Sequence, residues 1–261
     1  MPWSEGYLEF RNDLILDVLR DSQLLDNFRS NGRLPADFGS RLDERVIEYP
    51  WAISRLDGST SPLLDAGSAL NHRFLIDHPV LQKKSIVFYT LSPESFHDSP
   101  NLSYIFGDLR ATILKSEIFH EIVCISTLEH IGMDNTKLYT SDPQLKEQNP
   151  TDYRCVMKEF QRLLIPGGRL ILTVPFGRPA DYGWLQVFDS DLLDDAISSF
   201  AGEMIDEAFY QHTTGGWILS DREGCKDCKY FDIHREEIAP DYAAAARGVA
   251  CLELRRSLRD S

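Results

Sequence analysis

Leu63-Leu64-Asp65-Ala66-Gly67-Ser68 is an apolar run closed by an acidic residue and a glycine, the local pattern with which a strand hands its chain to a cofactor. Glycine there permits a tight turn and lets a ligand approach the backbone. Spacing excludes two phosphate-binding loops. A dinucleotide loop seats a pyrophosphate on a helix N-terminus through GxGxxG, but Ser68, Ala69, Leu70 and Asn71 follow Gly67. No GxxxxGK[ST] occurs either, so NAD, FAD and nucleoside triphosphates are disfavoured. Cys225 and Cys228 form a CxxC with His234 further on. Zinc normally needs four ligands, and no second CxxC or HxxxH supplies the rest; the pair reads as loop thiols. Cys124 and Cys251 lie in apolar runs and read as core residues.

The elements that would position such a loop alternate in type. Short apolar runs occur at Leu63-Leu64, Ser85–Tyr89, Leu102–Phe106, Ile122–Ser126 and Arg169–Val174, with helical stretches between, clearest from Thr151 to Leu164. Strands separated by helices imply parallel pairing through right-handed crossovers. Glu203–His212 and Val249–Leu254 read as strands without a clean helix between them, which predicts a closing antiparallel hairpin. The expected fold is α/β: a Rossmann-like three-layer sandwich on a mostly parallel seven-stranded sheet, with a C-terminal antiparallel hairpin. Residues 6–30 repeat apolar residues at helical spacing, and residues 41–56 form a second helical region interrupted at Pro50. These make an N-terminal helical extension, residues 1–58, ahead of a main domain, residues 59–261.

Composition narrows the partners. The chain of 261 residues is 43% hydrophobic and 26% charged, enough to bury a large core. Its net charge of −14 argues against nucleic acid and anionic membranes as partners. No run approaches the roughly 18 apolar residues of a membrane span, and the N-terminal residues lack a signal-peptide pattern, so the expected compartment is the cytoplasm. The amphipathic N-terminal helices could also pair two copies, and a homodimer is expected through them.

Four segments, in order and spacing, resemble a class I S-adenosylmethionine (SAM)-dependent methyltransferase from Ser61 onward. They are Leu63–Ser68; Ile105-Phe106-Gly107-Asp108-Leu109; Glu121–Ile131, with its Leu128-Glu129-His130-Ile131 exit; and Phe160–Leu170, with its Pro166-Gly167-Gly168 turn. The resemblance implies SAM as cofactor, bound by Asp65, Gly67, Ser68, Ala69, Thr90, Leu91, Asp108, Leu109, Thr127 and Leu128. Asp108 would bond the adenine amino group. The sequence departs from the pattern at Ala69 and Asn71, where glycines are usual. It departs again at Thr90, where an acidic residue usually grips the ribose hydroxyls. A threonine offers one such bond and forfeits a charge-assisted bidentate grip.

A hydroxyl acceptor would require a general base, and the resemblance puts His130, at the fourth strand's exit, in that place. Glu129 beside it would bond the cofactor or hold the loop. His212, near the sixth strand, is a second candidate base. Asp134, Asp142, Asp181 and Asp189 could serve a divalent cation, but no spacing singles out a ligand set, and no metal site is assigned. The insert from Gly132 to Asn149 and the helical extension are placed to form a lid, with Tyr139, Tyr182 and Trp184 as stacking platforms. The stretches around His130 and Val174 resemble bacterial methyltransferases of glycan assembly. The expected activity is O-methylation of a sugar, glycan or other small hydroxylated acceptor. The alternative is a catalytically silent binding protein on the same fold.

Overall fold

Residues 4–92, 94–140, 142–232 and 245–258 are described by a computed structural model. Three helices, α1 (Tyr7–Arg20), α2 (Ser22–Arg29) and α3 (Arg45–Arg55), precede the first strand. Five apolar runs then build the parallel part of a sheet: β1 (Pro62–Ala66), β2 (Ser85–Thr90), β3 (Leu102–Phe106), β4 (Phe119–Ile125) and β5 (Leu164–Pro175). They pair in parallel in the order β3-β2-β1-β4-β5. Helix α4 (Tyr153–Leu163) precedes β5 and α5 (Ser190–Phe200) follows it. Strand β5 starts before the Pro166-Gly167-Gly168 turn, absorbing it as a register shift against β4 between Phe119 and Glu121.

The C-terminal strands β6 (Glu203–Thr213) and β8 (Gly248–Arg255) pair antiparallel, and β8 inserts between β5 and β6. Among the described residues the sheet has eight strands rather than seven. The added one, β7 (Gly216–Ser220), returns along β6 after a tight turn. Trp217 explains why so short a run is held. Its backbone amide donates to Phe38 O at 2.7 Å and its indole N–H to Leu42 O at 3.0 Å, tying the sheet edge to the loop before α3.

Successive residues of a strand face opposite sides of the sheet, and two cores result. Leu63, Ile86, Phe88, Val123 and Ile171 pack with residues of α1, α2 and α3. Leu64, Tyr89, Ile122, Cys124 and Leu170 pack with α4 and α5. This is the three-layer arrangement expected from the alternating pattern.

The amphipathic stretch near the N-terminus is two helices. Asp21 ends α1 and caps α2, its carboxylate accepting from the amides of Gln23 at 2.9 Å and Leu24 at 3.1 Å. Pro50 does not interrupt α3, against expectation. Every residue from Val46 to Arg55 is buried, and that packing holds a helix whose proline removes one internal hydrogen bond.

Among those buried residues is Glu48, with a fully buried side chain. One carboxylate oxygen accepts from Ser126 Oγ at 2.6 Å and from Thr173 Oγ1 at 2.7 Å, so α3 is bonded to the exit of β4 and to β5. The other oxygen pairs with Arg45. Removing one partner of a buried ion pair leaves an uncompensated charge and costs about 3–5 kcal/mol. Glu48→Ala is expected to lower unfolding stability by that amount in urea titrations, and Glu48→Gln, which keeps an acceptor, by less.

Candidate active site

The strand order reverses between β1 and β4, and in open α/β sheets ligands bind at such a point, beyond the C-terminal strand ends. A cavity of about 750 Å³ lies there, within the roughly 300–1,000 Å³ of small-molecule sites. Its floor is the loop after β1. Gly67 has φ +101°, and a Cβ there would lie 2.0 Å from Thr127 Oγ1, so only glycine fits. Ser68 follows at φ +64° and presents a buried hydroxyl with no hydrogen-bond partner among the described residues. Asp65 stands behind the loop. One of its oxygens accepts from the Leu70 amide at 2.7 Å, and the other is buried. Burial, aided by the nearby charge of Glu94, pushes its carboxyl up to about 7.

Of the residues singled out in the sequence, Gly67, Ser68, Ala69, Thr90, Leu91, Asp108, Leu109, Thr127 and His130 line this cavity. Asp65 and Leu128 do not; both are fully buried, the first bracing the loop and the second packed in the core. Asp108 reaches the cavity with both oxygens accepting from Arg110, which also binds Glu147 and Asp152 at 2.7 Å each. His212 is not among the lining residues. It lies on β6, beyond β5 and β8 in the sheet order, packed edge-on against Trp217 at 5.3 Å.

The departure from the glycine pattern at Asn71 has a structural use. Its side-chain amide donates to Ser95 O at 2.9 Å, and its oxygen accepts from the Tyr104 hydroxyl at 3.1 Å. The loop after β2 is thereby tied to the loop after β1. That loop carries Glu94, which lines the cavity and accepts from Thr90 Oγ1 at 3.3 Å. No pattern in the sequence marks Glu94, because its place depends on how the loop folds back.

His130 is held in a defined state. Its Nδ1 lies 2.9 Å from the Trp184 carbonyl oxygen. A carbonyl only accepts, so the neutral ring carries its proton on Nδ1 and has its lone pair on Nε2. Burial pushes its pKa down to about 4, so the ring is neutral at pH 7. The Trp184 ring sits 5.2 Å away, and Trp184 in turn meets Tyr230, which Tyr182 also contacts. Buried Glu129 neighbours the ring's other nitrogen, its Oε1 4.0 Å from His130 Nε2. Burial holds the Glu129 carboxyl well above the usual carboxylate range.

The far wall comes from the N-terminal helices and the insert. Arg11, Arg45 and Tyr49 face the cavity, as do Met133, Asn135 and Tyr139. Arg11 pairs with Asp43 at 2.8 Å and Arg45 with Glu48. The insert closes at its base, where the Asn149 amide donates to Gly132 O at 2.7 Å. The four aspartates considered for a cation do local work instead: Asp142, Asp181 and Asp189 accept from the amides of Gln144, Gly183 and Leu192, and Asp134 binds Thr136 and Lys146. Among the described residues no group of three His, Cys, Asp or Glu side chains could hold a metal. Cys225 and Cys228 are free, buried thiols near the start of β8; His234 lies outside the described residues.

No protein-family model and no curated protein matches the chain. Solved structures do. A Haloferax volcanii protein described as a methyltransferase, in complex with the Trm112 methyltransferase activator, superposes with a TM-score of 0.50 at 11% identity, over 93% of this chain and 97% of its own. The fold is Rossmann-like, of the methyltransferase type. A Burkholderia thailandensis 1,6-didemethyltoxoflavin N1-methyltransferase, solved with S-adenosylhomocysteine, gives 0.48 at 11% identity, covering 98% of this chain and 92% of its own. A Bacillus halodurans protein described as a methyltransferase gives 0.49 at 12%, covering 78% and 96%. Among the described residues no helix is long and apolar enough to cross a membrane.

Two outcomes are expected of the site. Gly67→Ala forces a side chain into a left-handed backbone against Thr127 and is expected to cost about 1–3 kcal/mol, read as a lowered melting temperature. Nitrogen-15 NMR is expected to show His130 protonated on Nδ1, with a titration midpoint near pH 4. Its folded pKa lies below the ordinary 6.5, so the unfolded chain takes up this proton first. The stability gained by burying the neutral ring is therefore full above about pH 6.5 and is lost as pH falls towards 4.

Proposed function

We propose that this chain is a SAM-dependent methyltransferase acting on a hydroxyl of a small acceptor, sugars and glycans included. The observation that carries this reading is His130. It is a neutral imidazole with its proton fixed on Nδ1 by Trp184, lining the same cavity as the Gly67 loop.

The cavity suits the cofactor on its own features. Gly67 leaves the floor open to a close-lying ligand, the Ser68 hydroxyl is free to bond, and Thr90, Leu91, Asp108 and Leu109 line the side beyond β2 and β3. SAM supplies, when bound, an electrophilic methyl group on a sulfonium. The protein's part is to position the acceptor oxygen and remove its proton. The Nε2 lone pair of His130 accepts that proton, and the Nδ1–H bond to Trp184 O holds the ring while charge develops on it. A pKa near 4 makes His130 a modest base, but one that is unprotonated throughout the physiological range. Arg11, Arg45, Tyr49, Asn135 and Tyr139 would shape the acceptor end. The net charge of −14 favours a neutral or cationic acceptor over a nucleic acid. The expectations of a cytoplasmic protein, a homodimer through the N-terminal helices and an N-terminal unit of residues 1–58 remain parts of this proposal. A protein activator, like that of the Haloferax volcanii relative, is a further partner class to test.

A silent binding protein is the second reading, favoured by Ala69 and Thr90, which replace usual cofactor-site residues. Calorimetric titration with SAM and S-adenosylhomocysteine separates the two: micromolar binding supports the enzyme, and no binding of either favours the silent scaffold. With an acceptor found by screening nucleotide sugars and glycans, His130→Ala is expected to leave SAM affinity intact and lower turnover about 10²–10⁴-fold. Undiminished turnover would remove His130 from the mechanism.

A further inference from the structure

We propose that Glu94, four residues beyond the end of β2, supplies the carboxylate for the cofactor's vicinal ribose hydroxyls that Thr90 cannot supply; this rests on the SAM reading above. Ribose recognition in open α/β sheets commonly uses an acidic side chain at the end of the second strand, because a carboxylate accepts from two adjacent hydroxyls at once. Here that position is Thr90, whose single hydroxyl is already turned to donate to Glu94 Oε1 at 3.3 Å. The threonine thus points at the group that replaces it.

Among the described residues three carboxylate side chains line the cavity: Glu94, Asp108 and Glu147. Arg110 neutralises two of them, pairing with Asp108 at 2.6 Å and Glu147 at 2.7 Å. Glu94 has no ion-pair partner among the described residues, so its acceptor capacity is left for a ligand. One oxygen of the carboxylate takes the Thr90 hydroxyl, and two lone-pair sites on the other remain for a pair of neighbouring hydroxyls.

A surface glutamate on an untethered loop would lose much of its binding energy to ordering. This loop is tethered. Asn71 donates to Ser95 O at 2.9 Å, Tyr104 donates to Asn71 Oδ1 at 3.1 Å, and the His97 amide donates to the Tyr104 hydroxyl at 2.9 Å. Glu94 therefore sits between Thr90 and a hydrogen-bonded anchor at the next residue. Two departures from the usual pattern, asparagine for glycine at 71 and threonine for an acid at 90, are linked: the first fixes the loop that compensates for the second. Asn71 is a positioning residue, and Glu94 the one that meets the ligand.

The test is calorimetric titration of the full chain and of Glu94→Gln with S-adenosylhomocysteine and with its 2′-deoxy and 3′-deoxy analogues. Glu94 is exposed, and a glutamine of the same shape leaves the fold in place. Loss of charge-assisted hydrogen bonds is expected to weaken S-adenosylhomocysteine binding about 10- to 100-fold in Glu94→Gln. The unaltered chain should discriminate against at least one deoxy analogue by a similar factor, and the variant should discriminate little. If the unaltered chain binds S-adenosylhomocysteine and Glu94→Gln binds it equally well, the role of Glu94 is overturned and the cofactor stands. Equal weakening of the parent and both deoxy ligands also overturns it, since the effect then lies elsewhere than the ribose. If the unaltered chain binds none of the ligands, the cofactor assignment fails and the role of Glu94 with it.

Discussion

The Glu48 carboxylate, wholly enclosed, holds the two halves of this site together. Helix α3 could pack on the sheet through Trp51 and Ile53 alone, since the hydrophobic effect is indifferent to exact register. A carboxylate without water is not indifferent. It must meet Arg45, Ser126 and Thr173 together or remain uncompensated. Ser126 and Arg45 both face the cavity, so the same constraint fixes one residue from the sheet and one from the helical layer. The position of α3 then carries Tyr49 to the cavity wall.

Charge is managed differently beyond the exit of β3. Arg110 gathers Asp108, Glu147 and Asp152 onto one guanidinium, drawing together the exit of β3, the insert and the residue preceding α4. Asp108 is thereby held in the ionised form, its pKa below the ordinary range through its hydrogen bonds with Arg110. Asp65 and Glu129, buried beside the same cavity, are shifted the other way, burial pushing both carboxyls up. In a chain of net charge −14, such a division keeps negative charge where cations or hydroxyls can meet it.

The fold was largely legible because parallel strands buried on both faces leave continuous apolar runs, and the runs at Leu63, Ser85, Leu102, Ile122 and Arg169 all became strands. Strand β7 leaves little trace in the sequence: it is short, begins inside the Gly215-Gly216 pair and depends on Trp217 reaching residues 38 and 42. Pro50 misled for a related reason, since a local breaker signal was overridden by complete burial. In the site, residues at strand exits could be placed from topology, and Gly67, Thr90, Asp108, Thr127 and His130 line one cavity. Glu94, Arg110 and the Trp184 carbonyl could not be. Each acts through a loop conformation or a backbone atom, and neither leaves a signature in residue spacing. His212 shows the converse: a reactive residue near a strand end can still belong to a different part of the sheet.

The insert between Gly132 and Asn149 is closed by a backbone hydrogen bond at its base, and a Cβ at position 132 would lie 2.0 Å from the Asn149 oxygen. A loop whose ends are already joined has met its closure entropy during folding. The two ends of the insert are thus pinned to each other by the fold itself, as the neck of a purse is by its drawstring.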